Sequence, residues 1–327
     1  MPLYDNYGRA HDDLRISVTD RCNFRCFYCM PEEGMDFLPH DEILTYEEIA
    51  RVVRITTGLG FKSYHLTGGE PLLRKDLDEL IRQMLKIQPG MDLALTTNGV
   101  FLPRMARRLY DAGLRRVNIS LDTLDESKFL LMTRRNLLGE VMEGIEAAAA
   151  AGFSPIKINA VAIKGLTEAE LPRFAAWARE TGHIVRFIEY MPLDADKSWS
   201  QERVLSAEEI LEGLASEGEL ELVAGHPSDP AVRYRYKDGK GEVGVIASVT
   251  RPFCETCNRI RLTAEGEIRT CLFSMVEHNI KTLLRGGAPD DEIKKWLEDV
   301  VRTKTPGHLI GQKEFVQPKR TMSAIGG

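Results

Sequence analysis

Short apolar runs alternate with amphipathic stretches through the first two-thirds of the chain. Leu14–Val18, Ser63–Leu66, Asp92–Leu95, Arg116–Ile119, Ile156–Val161 and Val185–Ile188 read as strands. Between them, apolar residues recur at helical spacing over Tyr46–Thr57, Asp76–Ile87, Pro103–Ala112, Glu140–Ala150 and Glu168–Glu180. The unit repeats about every 30 residues, the length of a strand followed by a helix that crosses back. Six such units give a curved parallel sheet covered by helices, two short of the eight that close a barrel. The pattern therefore predicts an α/β fold, an incomplete (βα)6 TIM-type barrel with one open side.

The pattern changes further on. Asp194–Gln201 is polar without a clear period, and His226-Pro227-Ser228-Asp229-Pro230 is a break. After it come a strand-like run, Glu242–Val249, and a hairpin-like pair, Ile260–Leu262 and Ile268–Thr270, around Ala264-Glu265-Gly266. Helical stretches are expected near Met275–Leu284 and over Asp290–Arg302. We expect residues 1–225 to form the barrel-like domain and residues 226–327 an α+β region covering its open side.

Composition narrows the function. The 327 residues are 43% hydrophobic and 28% charged, ordinary for a globular protein. A net charge of −6 argues against a general nucleic-acid binder. The start has no apolar signal core, and no apolar run approaches membrane-spanning length. A cytoplasmic protein without nucleic-acid or membrane partners is expected.

The six cysteines fall into two groups of three: Cys22, Cys26, Cys29 and Cys254, Cys257, Cys271. Disulfide frameworks belong to small secreted chains, and threes pair badly. Structural zinc asks for four ligands per site, and only His278 lies near a group, beside Cys271. A ferredoxin holds each cluster by four cysteines. Three thiolates on a four-iron cluster leave one iron open to a small molecule, which favours catalysis over electron carriage.

Loops after parallel strands build ligand sites. Here they carry the first cysteine group, then Thr67-Gly68-Gly69-Glu70-Pro71, Thr96-Thr97-Asn98-Gly99, Ser120-Leu121-Asp122, and Glu189-Tyr190-Met191-Pro192. Gly68-Gly69 removes side-chain bulk where backbone approaches a ligand.

Cys22-x3-Cys26-x2-Cys29, with Tyr28 before the last cysteine and Gly68–Pro71 following in order, resembles the radical S-adenosylmethionine (SAM) enzymes. Phe253–Leu262 with Cys271, Asp13-Leu14-Arg15-Ile16-Ser17 and the Gly326-Gly327 end resemble the GTP 3′,8-cyclases of molybdenum cofactor biosynthesis, over essentially the whole chain. The resemblance implies two [4Fe–4S] clusters, one on Cys22, Cys26 and Cys29, the other on Cys254, Cys257 and Cys271. It implies SAM contacts at Tyr28, Gly69, Ser120 and Met191. GTP contacts are implied at Arg15, Thr96, Lys157, Arg186, Arg259, Ile260 and Arg261, with His65 in addition. It further implies a deoxyadenosyl radical that takes the ribose 3′ hydrogen, and attack of the resulting radical on guanine C8. An external one-electron reductant, a downstream cyclic pyranopterin monophosphate synthase and a possible homodimer complete the implied partners. Another radical SAM enzyme with one auxiliary cluster, such as a peptide modifier, is the alternative; those usually carry more cysteines.

The residues agree with a polyanionic substrate. Arg259 and Arg261 flank Ile260 and share one strand face. One departure stands out. Cyclases commonly have Lys-x-Arg before Thr-Gly-Gly-Glu-Pro, whereas this chain has Ser63-Tyr64-His65, with Lys62 one place earlier. Two charged hydrogen bonds worth about 1.5–3 kcal/mol each are then missing unless another cation substitutes.

Overall fold

The computed structural model describes residues 2–326. A short hairpin, Leu3–Tyr4 (β1) with Ala10–His11 (β2), precedes the main sheet. Six parallel strands follow: Asp13–Ser17 (β3), Ser63–Thr67 (β4), Asp92–Thr97 (β5), Arg116–Ser120 (β6), Lys157–Ala162 (β7) and Ile184–Glu189 (β8). The helices over them are Tyr46–Gly58 (α1), Leu77–Ile87 (α2), Leu102–Asp111 (α3), Glu126–Thr133 (α4), Leu138–Ala151 (α5) and Leu171–Thr181 (α6). All six expected strands and all five expected helices of this region are present.

Alternation along the strands makes both the core and the site. In β3, Leu14 and Ile16 are buried in the core, while Arg15 lines a cavity on the other face. In β4, Tyr64 and Leu66 are fully buried while His65 lines the cavity. Local signals start the helices. Thr45 and Glu48 form a capping box at α1, which buries Ile49, Val52, Val53 and Ile55 against the sheet. Each such side chain contributes roughly 1.5–3 kcal/mol of burial.

Ala207–Ala215 (α7) comes next, opened by a second capping box, Ser206 with Glu209. The remaining strands are Leu220–Val223 (β9), Val232–Tyr236 (β10), Glu242–Ile246 (β11), Arg259–Leu262 (β12), Glu267–Arg269 (β13) and His278–Asn279 (β14). The last helices are Lys281–Arg285 (α8), Asp290–Arg302 (α9) and Met322–Ile325 (α10). β11 pairs in parallel with β8, and β12 pairs in parallel with β3. The late strands thus extend both edges of the six-strand sheet. The sheet has twelve strands in the order β14-β13-β12-β3-β4-β5-β6-β7-β8-β11-β10-β9, and it is not closed.

One expectation needs correction. Met275–Leu284 is not a helix throughout: His278 and Asn279 pair with Ile268 and Glu267, and helix begins only at Lys281. The free backbone edge of β13 takes the segment as a strand before helix can propagate. No helix among the described residues is long and apolar enough to cross a membrane.

Candidate active site

One cavity of about 580 Å³ is lined by all six cysteines. Topology separates the two groups. Cys22, Cys26 and Cys29 follow β3, at the C-terminal ends of the parallel strands. Cys254 and Cys257 precede β12, which runs parallel to β3 with Arg259 opposite Asp13. Cys271 follows β13, which is antiparallel to β12 and places Arg269 opposite Arg261. The second group therefore stands at the N-terminal ends. The five residues of β3 between the two groups span about 13 Å at about 3.3 Å per step.

The first end is tied together by carboxylates. Tyr28 donates its hydroxyl to Asp122 Oδ2 at 2.5 Å. Glu70 accepts from Leu72 N–H (2.9 Å), Thr97 Oγ1 (2.7 Å) and Asn98 N–H (2.7 Å), and Asn98 Nδ2 donates to Asn23 Oδ1 (2.7 Å). Burial pushes the Glu70 carboxyl up to about 7, these hydrogen bonds notwithstanding. Burial first, then the Glu70 charge, lifts the Cys22 thiol to about 11. A Cβ at Gly69 would lie 2.3 Å from Arg21 O, and one at Gly68, with φ +156°, 2.6 Å from Thr19 O. Glycine is required at both positions for this loop to pack against the cysteine loop.

The second end is cationic. Arg259 Nη2 lies 3.5 Å from Cys257 Sγ, and Lys304 Nζ lies 3.6 Å from it and donates to Arg259 O at 2.7 Å. Burial pushes the Cys257 thiol up, but Arg259 and Lys304 outweigh it and hold it at about 6. Arg9 braces the loop from behind. It donates to Cys254 O (2.9 Å), Pro306 O (2.7 Å) and Thr305 O (2.7 Å), and pairs with Asp5 at 2.6 Å. His11 lies 3.0 Å from the same carboxylate.

Between the ends the wall is basic. Arg186 donates to Asn159 Oδ1 (2.9 Å) and Asn118 Oδ1 (2.8 Å). Burial, then Arg15 and Arg116, push Arg186 down to about 10. Burial, then Arg186 and Arg116, push Lys157 down to about 8. Burial, then Arg15 and Arg259, push Arg261 down to about 9. Cations crowded this closely favour a polyanion between them. Arg15 Nε and Arg259 Nε are buried with no hydrogen-bond partner among the described residues.

Every sequence-predicted site residue but one lines this cavity: Tyr28, Gly69, Ser120 and Met191; Arg15, His65, Thr96, Lys157, Arg186, Arg259 and Arg261. Ile260 does not. Its side chain is 2% exposed and sits in the core, because strand alternation turns it away from its two arginine neighbours. His65 faces the cavity but is not a cation. Burial, then Arg15, Arg116, Arg186 and Arg261, push its pKa well below the usual value, and Nε2 meets Thr96 Oγ1 at 2.5 Å. His278 is outside the cavity, 3.3 Å from Thr303 Oγ1. At the chain end, Arg261 donates to Gly326 O, and a Cβ at Gly326 would clash with Ser17 Oγ. Gly327 lies outside the described residues.

Glu70 and Asp122, in the loops expected to build the site, line it too; Arg116 lines it and Lys304 flanks it, and the sequence reading missed these two. Arg116 was legible by alternation, two places before Asn118 on a predicted strand. Lys304 carries no local signal.

The thiols fit iron–sulfur clusters. All six are free, and each set of three stands around the cavity wall. No group of three or more His, Cys, Asp or Glu among the described residues is arranged to hold a single metal ion. A cluster several atoms across asks its ligands to surround it rather than to meet at a point.

Comparison with known proteins agrees with this geometry. A profile described as "Radical SAM superfamily" matches residues 16–178, and one described as "Molybdenum Cofactor Synthesis C" matches residues 183–310. The crystal structure of Streptococcus suis SuiB bound to S-adenosylmethionine matches with a TM-score of 0.63 at 14% identity, over 90% of this chain and 68% of that one. Native anSMEcpe with bound AdoMet matches with a TM-score of 0.50 at 18% identity, over 62% of this chain and 60% of that one. At these identities the likeness speaks for the fold alone. Relatives named GTP 3′,8-cyclase are far closer in sequence. That of Streptomyces coelicolor is 47% identical over 99% of this chain and 96% of its own length. Those of Rhodopirellula baltica and Thermodesulfovibrio yellowstonii are 46% and 45% identical, over 100% and 99% of this chain and 92% and 100% of theirs.

The fold and the first cysteine group define a radical SAM enzyme, a class that takes one electron at a time from a reductant. Within that class the chain belongs to the GTP 3′,8-cyclase family of molybdenum cofactor biosynthesis. Its cofactors are S-adenosylmethionine and two [4Fe–4S] clusters.

Proposed function

We propose that this chain cyclises GTP to 3′,8-cyclo-7,8-dihydro-GTP inside the single chamber, with SAM at one end and guanine at the other. One observation carries the reading: two thiol triplets occupy opposite ends of one cavity whose wall between them is basic.

Cys22, Cys26 and Cys29 hold the first cluster, and Cys254, Cys257 and Cys271 hold the second. When bound, the first cluster would supply the electron for reductive cleavage of SAM, the chemistry that the ribose 3′ hydrogen and guanine C8 of GTP would need. The chain's own residues position the reactants. Gly69 offers backbone to SAM's amino group, and a Cβ there would clash with Arg21 O of the cysteine loop. Tyr28, Ser120 and Met191 line the same end. Arg15, Thr96, Lys157, Arg186, Arg259 and Arg261 bind GTP and keep its charge from escaping to water. Ile260 serves by holding its two arginine neighbours in register, its own side chain being core.

The six strands β3–β8 with their helices act as an incomplete (βα)6 barrel, residues 1–225. Residues 226–327 bring the second cluster to it, with Gly326 reaching Arg261. The same reading places the enzyme in the cytoplasm, with a homodimer possible and a cyclic pyranopterin monophosphate synthase consuming the product.

The test is anaerobic reconstitution with iron and sulfide, then turnover with SAM, a reductant and GTP. Formation of 5′-deoxyadenosine that depends on GTP, with loss of GTP to a cyclised product, is expected. Deoxyadenosine formation indifferent to GTP, or stimulated by a peptide instead, would overturn the substrate assignment.

A further inference from the structure

Ser63 and His65 bring no charge to the basic wall. His65 is buried and neutral. The Ser63 hydroxyl is turned to Asp92 Oδ2, at 3.2 Å. A different cation occupies the neighbourhood. In the sheet register His65 stands opposite Ala94, and Ala94 opposite Arg116. The three share one rung, and the middle one offers only a methyl group.

Arg116 lines the cavity and its side chain remains 42% exposed. It makes one ion pair, with Asp92, the first residue of the adjacent strand. A guanidinium has five N–H donors, so most remain free. Arg9 is the contrast: buried, with its donors spent on three carbonyls and a carboxylate, it is a brace. Arg116 is instead half-open and aimed where anions belong. After burial, its charge is among the causes that depress Arg15, His65, Lys157 and Arg186, so it stands within electrostatic reach of all four.

Position selects the ligand atom. Ser63 and Asp92 open β4 and β5, and Arg116 opens β6 level with Ala94, two residues further along, all on the strand starts and away from the first cysteine group. With the ribose toward SAM and guanine at the second cysteine group beside β12, the wall at the start of β4–β6 is what remains for the triphosphate.

Resting on the assignment of GTP to this chamber, we propose that Arg116 binds the terminal phosphate and supplies the charge that Ser63 and His65 do not. Planar, multidentate donation to phosphate oxygens suits arginine better than lysine.

The test is equilibrium binding of GTP, GDP and GMP to the anaerobically reconstituted full chain. Arg116→Ala should weaken GTP by about ten- to a hundred-fold, the range of one or two charged hydrogen bonds, and weaken GMP by less than about three-fold. His65→Arg in the Arg116→Ala background should restore most of the loss, because the charge returns on the same rung, two strands away. Asp92→Asn alone should leave GTP binding unchanged or tighter. If Arg116 were only structural, Asp92→Asn would weaken binding as much as Arg116→Ala, and His65→Arg would rescue nothing. Equal losses for GTP and GMP, or no loss for either, would also overturn the proposal. Failure of the wild-type chain to bind GTP at all would instead strike the functional reading beneath it.

Discussion

The two cysteine regions hold the same number of thiols in opposite surroundings. The first sits among carboxylates: burial and then Glu70 lift Cys22 to about 11, and burial and then Asp122 lift Cys26 well above its ordinary value. The second sits among cations, and Arg259 with Lys304 draws Cys257 down to about 6 against the effect of burial. Cluster potentials depend on local charge and on hydrogen bonds to sulfur. An electron added beside Glu70 and Asp122 is held less tightly than one added beside Arg259 and Lys304. The expectation from charge is that the first region gives an electron away more readily and the second holds anions better. That division matches a reductive cleavage at one end and a bound nucleotide at the other.

The sharpest way to break this comparison is to remove thiols from each end separately. Serine at Cys22, Cys26 or Cys29 should abolish 5′-deoxyadenosine formation, a loss on the order of a thousand-fold or more, as expected for removal of a reacting centre. Serine at Cys254, Cys257 or Cys271 should leave SAM binding intact and stop cyclisation. Identical phenotypes at both ends, measured by SAM binding and deoxyadenosine release, would deny the division of labour.

A smaller effect is expected at the chain end. Gly326 O accepts from Arg261, one of the cations of the basic wall. Deleting Gly326 and Gly327 should release that guanidinium and lower cyclisation by about ten-fold or more, since one charged hydrogen bond is worth about 1.5–3 kcal/mol. Wild-type turnover after truncation would remove the tail from the site.

Lys304→Met tests the charge argument directly. The potential of the second cluster should fall by on the order of 50 mV, close to the 59 mV that accompanies a tenfold change for one electron. The potential of the first should not move. Redox titration followed by electron paramagnetic resonance separates the two, and equal shifts would mean the surroundings are not the cause.

The smallest effect concerns acid. Burial and then Lys304 push His11 down to about 4, while burial of Asp5 is outweighed by His11, Arg9 and the Tyr7 N–H, which hold it at about 2. A histidine depressed in the folded state contributes stability that is present above its unfolded pKa near 6.5 and is lost as pH falls toward 4. Asp5 adds a loss from about 3.8 down to 2. His11 can account for at most roughly 3 kcal/mol. Hydrogen exchange near residues 254–258 and 304–306 should rise between pH 6.5 and 4.5, ahead of residues 22–29. His11→Gln should flatten that dependence. Equal loosening at both ends would contradict it.

Much of this was legible in the sequence, for identifiable reasons. The six strands and five helices of the first part declare themselves through alternation and helical spacing, which are local. The six thiols announce two sites because their spacing is short. Other elements gave weaker signals. α4 carries Phe129 and Met132 inward but Leu130 and Leu131 outward, so its amphipathic period is erased. α7 did have a readable capping box in Ser206 and Glu209. His65 read as a possible phosphate donor, and only its burial among four arginines made it neutral.

By itself the sequence determined where the six parallel strands and five of their helices form, and how many thiolates each site receives. Only the tertiary structure decided that β12 joins β3 with Arg259 opposite Asp13, and hence that the two triplets face each other from opposite strand ends. It also brought Lys304 to Cys257, across 47 residues, and set Arg116 on the rung of the neutral His65, two strands away. The reason is physical. Period, capping and ligand spacing act over a few residues of chain, whereas register between distant strands and the charge around a thiol depend on which segments fold against each other.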